Sequence, residues 1–202
     1  MILENDRVML NWLNKFKIAT ATQLNEIAYH NMKKCYSRLN KLTSDSVIKK
    51  YKNTIYLGNL YTTTRIRTVS QVQHSLLRND FYLKLASQAT IEDCYVERVY
   101  GRIRPDAVIS CIHNNKPYFF LLEVETNQNG HGINISKYNE FFLSDWKNYF
   151  NVKPLIIYVT EKQINKECSF AYKMLNTSLD NFEMIWEWLY GAYNFGIRII
   201  DD

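Results

Sequence analysis

The segment RPDAVISCIHNNKPYFFLLEVE, residues 104–125, most restricts the folds open to this chain. Its two halves, DAVISCI and YFFLLEVE, are short, apolar and rich in β-branched and aromatic residues, which is typical of buried strands. The sequence HNNK between them is a hairpin-turn signal. We therefore predict an antiparallel hairpin whose turn is centred on Asn114 and Asn115, with His113 opposite Lys116.

The same register brings carboxylates together at the far end of the hairpin. Counting back from the turn places Asp106 directly opposite Glu123, where paired Cβ atoms lie about 5 Å apart. Glu125 shares that face, because side chains alternate along a strand with a period of two, and its cross-strand partner is Arg104. A slip of one residue would put Asp106 and Glu123 on opposite faces.

Two explanations account for such an acidic cluster. Like charges this close destabilise a fold unless something neutralises them, and Mg²⁺ is commonly held by one or two carboxylates with waters and phosphate oxygens. Alternatively, Arg104 pairs with one acid while the others face solvent at the strand end. The hairpin alone does not choose between a cation site and an ordinary strand end.

Composition indicates a folded protein of one or two domains, since 47% of its 202 residues are hydrophobic and 14% are aromatic. No apolar run approaches the length of a membrane span, and the N-terminus lacks the pattern of a secretory signal, so we expect a cytoplasmic protein with no membrane partner. The four cysteines are far apart, which predicts buried reduced thiols rather than a zinc site or disulfides.

The charge is unevenly distributed along the chain. Residues 1–90 contain 14 Lys and Arg against 5 Asp and Glu, whereas residues 91–202 contain 11 Lys and Arg against 15 Asp and Glu. A basic front half joined to an acidic back half indicates a module that binds a polyanion, attached to a module of another kind.

The basic half predicts three helices followed by a hairpin. Apolar residues recur at helical spacing in residues 8–16, in residues 20–30, where Thr20 or Thr22 is the candidate N-cap, and in a third helix that begins near Asn31. The following sequence, VIKKYKNTIYLGN, alternates like a hairpin with its turn at Lys52–Asn53. Three helices and a basic hairpin form the pattern of a winged helix-turn-helix.

The third helix would enter the major groove of double-stranded DNA. Its predicted inward stripe consists of Met32, Cys35, Tyr36, Leu39 and Leu42. The candidate DNA-contacting residues on its opposite face and on the wing are Lys33, Lys34, Ser37, Arg38, Lys41, Lys49, Lys50 and Lys52. Ser37 and Arg38 lie centrally on the helix, and the wing lysines would contact the DNA backbone. The alternative is a lysine-rich helix face that is merely solvated; the order of elements and the basic wing favour DNA.

The acidic half predicts a small α/β sheet with helices packed on it. Residues 62–90 come first and predict a connector helix between the two modules. The predicted elements that follow are a strand at 94–101, the hairpin, a polar loop at 127–134, a helix at 135–150, a strand at 153–160, a helix at 161–176 and a last strand at 182–190. The helix at 135–150 is predicted to bury Ile135, Tyr138, Phe142, Trp146 and Tyr149.

Pro105-Asp106, followed by Glu123-x-Glu125 at the end of the next strand and then by a helix, resembles the core of the PD-(D/E)XK nucleases, which have a restriction-endonuclease-like fold. A winged helix before this core resembles the replication-relaxation family of plasmid and mobile-element proteins and the related MobC-type relaxases. Matching segments run along nearly the whole chain: HSLLRND, RPDAVI, LLEVE, KYNEFF and PLIIYVT.

The resemblance implies an α/β (α+β) protein in three parts. These are a winged helix-turn-helix domain at 1–60, a connector helix at 61–90 and a nuclease-like domain at 91–202.

The resemblance also implies the roles of several residues. Asp106 and Glu123 correspond to the metal-binding carboxylates of the motif and the backbone carbonyl of Val124 to a further ligand, for Mg²⁺ or Mn²⁺. One departure matters, because Glu125 occupies the position of the motif's lysine. Lys137, on the following helix, would supply the amine from another place; otherwise Glu125 is a third ligand or the site is degenerate.

Two function hypotheses follow. The first is metal-dependent, relaxase-like nicking of DNA at an origin of transfer or replication, with Asp106, Glu123, Glu125 and Lys137 as candidate catalytic residues and with other relaxosome or replication proteins as partners. The rival is a DNA-binding accessory or regulatory protein whose nuclease-like domain is inactive and mediates protein contacts, including a homodimer. A relaxase with a catalytic tyrosine and a histidine-bound metal is disfavoured, because the four histidines are scattered.

Overall fold

The computed structural model describes residues 1–53, 58–65, 69–126, 134–161 and 168–195. The chain is a mixed α+β protein that divides into two compact units, residues 1–87 and 88–202, each with its own sheet. Within these ranges, no helix is both long enough and apolar enough to span a membrane.

The first unit combines helices with a three-stranded antiparallel sheet. Its elements are α1 (Glu4–Phe16), β1 (Ile18–Thr20), α2 (Ala21–Leu24) with a π-helical turn at Asn25–Tyr29, α3 (Met32–Ser44), β2 (Lys49–Asn53), β3 (Gly58–Thr62) and α4 (Val69–Ala86). The strand order is β1-β3-β2, so β2 is an edge strand and β3 is central.

Polar side chains cap the N-termini of the second and third helices. Thr20, and not Thr22, is the N-cap of α2: its hydroxyl accepts from the Gln23 N–H at 3.2 Å, and the Gln23 side chain accepts from the Thr20 N–H at 3.1 Å. The π-helical turn ends at His30, whose φ of 51° turns the chain sharply. Asn31 then caps α3 by accepting from the Lys34 N–H at 3.0 Å.

The hairpin of the first unit exists, but its predicted turn at Lys52–Asn53 is wrong. Both residues belong to the ladder, because Lys52 pairs with Asn59 and Asn53 pairs with Gly58. The same register pairs Lys50 with Tyr61, whose side chain is fully buried, so the core fixes the alignment of the strands. The connection itself, 54–57, lies outside the described residues.

Helix α4, predicted as a connector, belongs to the first unit. The fully buried Arg78 donates to the Phe16 carbonyl at 2.8 Å, and Asn79 donates to the Ile18 carbonyl at 2.6 Å. The last carbonyls of a helix have no partner within that helix, so Arg78 satisfies a group that α1 leaves open. The boundary between the units therefore lies between 87 and 88, compared with the predicted boundaries at 60 and 90.

The second unit contains a five-stranded mixed sheet. Its elements are β4 (Thr90–Val96), β5 (Ala107–His113), β6 (Lys116–Val124), α5 (Ile135–Glu140), β7 (Leu155–Val159), β8 (Tyr172–Leu175) and α6 (Met184–Phe195). The strands lie in chain order; β4, β5 and β6 pair antiparallel, whereas β7 and β8 continue from β6 in parallel.

The central hairpin has the predicted register. His113 pairs with Lys116, and the two central turn residues, Asn114 and Asn115, have φ values of 49° and 60°. Positive φ at both positions is the requirement of the tight turn whose twist matches an antiparallel hairpin, and asparagine tolerates it. The prediction from DAVISCI, HNNK and YFFLLEVE is confirmed.

Two predicted elements near the C-terminus have the opposite secondary structure. The segment predicted as a strand at 182–190 contributes to α6, where Ile185, Trp188 and Leu189 are buried at helical spacing. The segment predicted as a helix at 161–176 ends in β8, which pairs with β7 from Ile156 opposite Tyr172 onward. Residues 162–167 lie outside the described part of the chain.

The ends of two other elements also differ from the prediction. The strand predicted at 94–101 ends at Val96, and Glu97 has a φ of 52°. The helix predicted at 135–150 changes after α5 into a π-helical turn and a short 3₁₀ turn. The wider turn shifts the buried face, so Phe141 is fully buried whereas Tyr149 is 45% exposed.

The sheet of the second unit is covered on both faces. On one face, Val108, Leu121, Ile156 and Tyr158 pack with the aromatic side chains of α5 and the turn after it. On the other side, α6 holds the hairpin, because Trp186 stacks on His113 with 3.8 Å between ring centroids. Glu123 pairs with Tyr158 across β6 and β7, which places it on the α5 face of the sheet.

The four cysteines are free thiols, as predicted. Cys35, Cys94 and Cys111 are buried, and Cys168 is half-buried. Burial raises the pKa of Cys35 to about 11 and that of Cys111 to about 12, so both remain protonated and unreactive at neutral pH.

Candidate functional site

Exposed lysines of the first unit lie on α3 and on the edge strand β2. Every predicted DNA-contacting residue except Arg38 is exposed, namely Lys33, Lys34, Ser37, Lys41, Lys49, Lys50 and Lys52. Helix α3 contains no acidic residue. Asp45, immediately after the helix, accepts from Lys41 at 2.8 Å, so the charge of that lysine is partly neutralised.

Arg38 is held inside the first unit rather than presented to a ligand. Its Nε and Nη2 donate to the two carboxylate oxygens of Asp6 at 3.1 and 2.5 Å, and Nη2 also donates to the Met1 carbonyl at 3.1 Å. Asp6 is fully buried, and only 22% of the Arg38 side chain is exposed. The geometry therefore assigns Arg38 to a structural ion pair, and the expected base contact by Arg38 does not fit it.

Tyr29 and Leu3 complete the environment of Asp6. The Tyr29 hydroxyl donates to Asp6 at 2.6 Å, and the Leu3 N–H donates at 2.8 Å. Burial alone would raise the pKa of Asp6, but the hydrogen bonds from Arg38, Tyr29 and Leu3 outweigh it and lower the pKa. The network joins α1, the π-helical turn and α3, and it fixes the orientation of α3.

Two exposed residues of α3 were not predicted as contacts. Tyr36, assigned from the sequence to the inward stripe, is 46% exposed, because it lies about 100° around the helix from the buried Cys35. Asn40 is exposed on the same side of the helix. In the sequence, Tyr36 and Asn40 are four residues apart, a spacing that places both side chains on one side of a helix, next to the lysines.

Asp106 lies where the central hairpin ends in the second unit. The ladder stops at Ala107 opposite Leu122, and the Asp106 N–H extends it by donating to the Leu122 carbonyl at 3.0 Å. The Asp106 carboxylate accepts from the Val124 N–H at 2.7 Å, and Asp106 is only 8% exposed. As the register predicts, Asp106 and Glu123 are neighbours, close enough for the charge of Asp106 to act on Glu123.

Glu123 is the most perturbed acid of the second unit. Burial and then the charge of Asp106 raise its pKa well above the usual range, and the hydrogen bond donated by the Tyr138 hydroxyl only partly offsets this. The side chain therefore holds a proton at pH values where a solvent-exposed glutamate has lost it.

Tyrosines line this carboxyl pair. The Tyr158 side chain is fully buried, and its hydroxyl has no hydrogen-bond partner among the described residues. Burial and then Glu123 raise the pKa values of both Tyr138 and Tyr158, so both phenols stay neutral. Neither tyrosine was predicted as a site residue. The sequence indicated them only by their positions on the helix and the strand that follow Asp106 and Glu123.

The predicted pairing of Arg104 with Glu125 is wrong. Arg104 donates to the Glu97 carboxylate at 2.6 Å and to the Glu97 carbonyl at 3.1 Å. The reason is that β5 begins only at Ala107, so Arg104 lies outside the ladder. The Glu97 N–H donates to the Asp106 carbonyl at 3.1 Å, which brings the turn between β4 and β5 beside the carboxyl pair.

The predicted cluster of three acids is not assembled. In the described ranges, no group of three or more His, Cys, Asp or Glu side chains is placed to hold a metal ion. The Glu125 N–H donates to the Val159 carbonyl at 2.9 Å, so the chain past β6 still follows β7. Lys137 is exposed, and since successive helix positions differ by about 100°, it lies on a different face of α5 from Tyr138.

The residues present fit a divalent cation only in part. Asp106 and Glu123 supply oxygen ligands, which Mg²⁺ prefers, and carboxylates bind a cation in their deprotonated form. The Val124 carbonyl lies on the chain beside them and would be the third protein ligand. Lys137, the residue suggested to replace the motif's lysine, is exposed and does not share the face of Tyr138.

No family model, curated protein or solved structure matches this chain.

Proposed function

We propose that this protein binds double-stranded DNA through its first unit. The element order of α1, β1, α2, α3, β2 and β3 is that of a winged helix-turn-helix, in which α3 would enter the major groove and the β2–β3 hairpin would be the wing. The observation that carries the proposal is that the lysines of α3 and β2 are exposed and that neither element contains an acidic residue.

The charge of the chain supports this assignment. Exposed lysines contact phosphates without regard to sequence, and such contacts position a protein on the duplex. Residues 1–90 contain 14 Lys and Arg against 5 Asp and Glu, so the excess of basic side chains lies in the part of the sequence that contains α3. A lysine-rich face that only kept the protein soluble would not need this segregation.

Binding to duplex DNA is expected to weaken steeply with salt. If about four lysines contact phosphates, affinity should fall roughly a hundredfold between 50 and 200 mM salt, because each contact releases a condensed counterion. Fluorescence anisotropy of a labelled duplex with the full chain measures this. Lys50→Ala should reduce the salt slope by about one, whereas Lys147→Ala in the second unit should leave it unchanged. Salt-independent or absent binding would refute the proposal.

For the biological setting we infer a DNA-binding accessory or regulatory protein of a plasmid or other mobile element. The resemblance to replication-relaxation proteins supports the setting. The glutamate at position 125, which stands where the motif has its lysine, supports a second unit that does not cut DNA. Its role would then be contact with relaxosome or replication proteins or with a second copy of the chain.

Metal-dependent nicking is the second candidate function. The observation that favours it is that Asp106 and Glu123 are neighbours, because Mg²⁺ is commonly bound through one or two carboxylates. Asp106, Glu123 and the Val124 carbonyl would hold Mg²⁺ or Mn²⁺. The ion would supply Lewis acidity toward a phosphate and a more acidic bound water.

Mn²⁺ or Mg²⁺ is expected to stabilise the wild-type chain if this site exists. A ligand that binds only the folded state contributes about 2.7 kcal/mol at a hundredfold excess over Kd, which raises the thermal midpoint. Asp106→Asn should remove the increment, and Lys137→Ala should keep it. Nicking of supercoiled plasmid that is lost in Asp106→Asn would establish the enzyme; a wild-type midpoint indifferent to both ions would remove the metal site.

A further inference from the structure

Polar side chains of α3 differ in whether they form hydrogen bonds within the protein. Ser44 donates to the Lys41 carbonyl at 2.8 Å, and Thr43 donates to the Leu39 carbonyl at 2.7 Å. In contrast, the exposed amide of Asn40 makes no hydrogen bond with any described residue. The same holds for the hydroxyls of Tyr36 and Ser37, which are exposed as well. These groups are available to a ligand.

Tyr36 and Asn40 lie one helical turn apart on the same stripe. At 1.5 Å per residue, the two side chains are about 6 Å apart along the helix axis. Successive base pairs are about 3.4 Å apart, so a helix lying along the groove would place the two side chains over base pairs about two steps apart. Lys33 and Lys41 flank them, and no acidic residue of α3 opposes an approaching phosphate.

The chemistry of this stripe favours one kind of base pair. Arginine is the commonest side chain that recognises guanine, but the only arginine of α3, Arg38, is bound to the buried Asp6. An asparagine amide matches the N6 and N7 atoms of adenine in a bidentate pair, and an aromatic ring contacts the C5-methyl group of thymine. The stripe therefore complements A·T pairs in the major groove.

We propose that Asn40 and Tyr36 determine sequence specificity by recognising A·T pairs about two base pairs apart. Asn40 donates to N7 and accepts from N6 of one adenine, and the Tyr36 ring packs on the methyl group of the thymine in the other pair. Arg38 is a positioning residue, since its ion pair with Asp6 orients α3 without a base contact. The inference rests on the proposed DNA binding and adds the bases that are recognised.

The test uses the full chain and a pool of duplexes with a randomised central segment. After selection, the sequences bound by wild type should share A·T pairs about two base pairs apart. Asn40→Ala should bind the best selected duplex roughly 5- to 150-fold more weakly, the range of one bidentate base contact, while its affinity for the unselected pool changes by less than about twofold. Ser44→Ala is the matched control on the same helix and should change neither affinity.

Base analogues assign each contact. Replacing the essential adenine by 7-deaza-adenine removes N7 and should weaken wild type but not Asn40→Ala. Replacing the thymine of the other pair by uracil removes the methyl group and should weaken wild type but not Tyr36→Ala. Alanine is the strongest helix former, so neither variant should unfold α3, and circular dichroism verifies this.

The possible outcomes distinguish this inference from the proposed DNA binding on which it rests. Wild type that binds no duplex overturns both. Wild type that binds the pool without any base preference, or an Asn40→Ala variant that keeps every preference, overturns the inference and leaves DNA binding intact. A uniform loss of affinity over all sequences in Asn40→Ala would make Asn40 a phosphate contact, which also overturns it.

Discussion

Arg38→Ala is expected to destabilise the first unit by about 3–5 kcal/mol, because it leaves a fully buried carboxylate without its cation. Asp6→Ala should cost less. The partly exposed Arg38 side chain can then turn toward solvent, whereas the buried Asp6 carboxylate has no such escape. The double variant should be more stable than Arg38→Ala alone, since the stranded charge is gone.

Urea unfolding measures these differences, and hydrogen exchange locates them in α1 and α3. Lys34→Ala, an exposed position on the same helix, should stay within about 0.5 kcal/mol of wild type. The pKa of Asp6 is lowered in the fold, so the contribution of the pair is complete above the unfolded pKa and disappears as pH falls through the folded one. An Arg38→Ala chain as stable as wild type would mean that solvent already shields Asp6.

Glu123→Gln is expected to stabilise the second unit at neutral and alkaline pH. The pKa of Glu123 is raised in the folded state, so the fold binds a proton that the unfolded chain has released. Stability therefore decreases with rising pH between the unfolded and the folded pKa, by about 1.4 kcal/mol for each pH unit. Glutamine keeps the shape of the protonated acid and cannot ionise, so this decrease should vanish.

Denaturant midpoints between pH 5 and pH 9 measure the effect in wild type and variant. Tyr138→Phe provides the complementary change, because it removes a hydrogen bond that lowers the pKa of Glu123. Its pH-dependent loss should extend to higher pH than in wild type. Equal pH profiles for wild type and Glu123→Gln would show that Glu123 is ionised in the fold, and the carboxyl pair would then need a different counter-charge.

Local sequence signals predicted the parts of the fold that depend on local periodicity. The helices of the first unit and the central hairpin follow from apolar spacing and from Asn114–Asn115, whose backbone requirement few other residues meet. The neighbouring positions of Asp106 and Glu123 follow from the same register. These features need no knowledge of distant contacts.

The incorrect predictions concern features that depend on contacts between residues far apart in the sequence. FEMIWEWLY alternates enough to resemble a strand, yet it is helical from Met184 onward, and Ile185, Trp188 and Leu189 are buried. The pairing of Asp6 with Arg38 joins positions 32 residues apart, and no local pattern shows it. An acid on the apolar stripe of α1 was the one available hint, since a buried charge needs a partner.

The buried polar side chains of α4 determine where this chain can be divided. A fragment ending at residue 60 would lack Arg78 and Asn79, and the carbonyls of Phe16 and Ile18 would lose their donors. The same cut would remove Val72 and Leu76 from the apolar cluster that contains Ile18. The first unit therefore has to comprise residues 1–87, whether it is recombined between genes or expressed in the laboratory. Its last helix, α4, is part of its core.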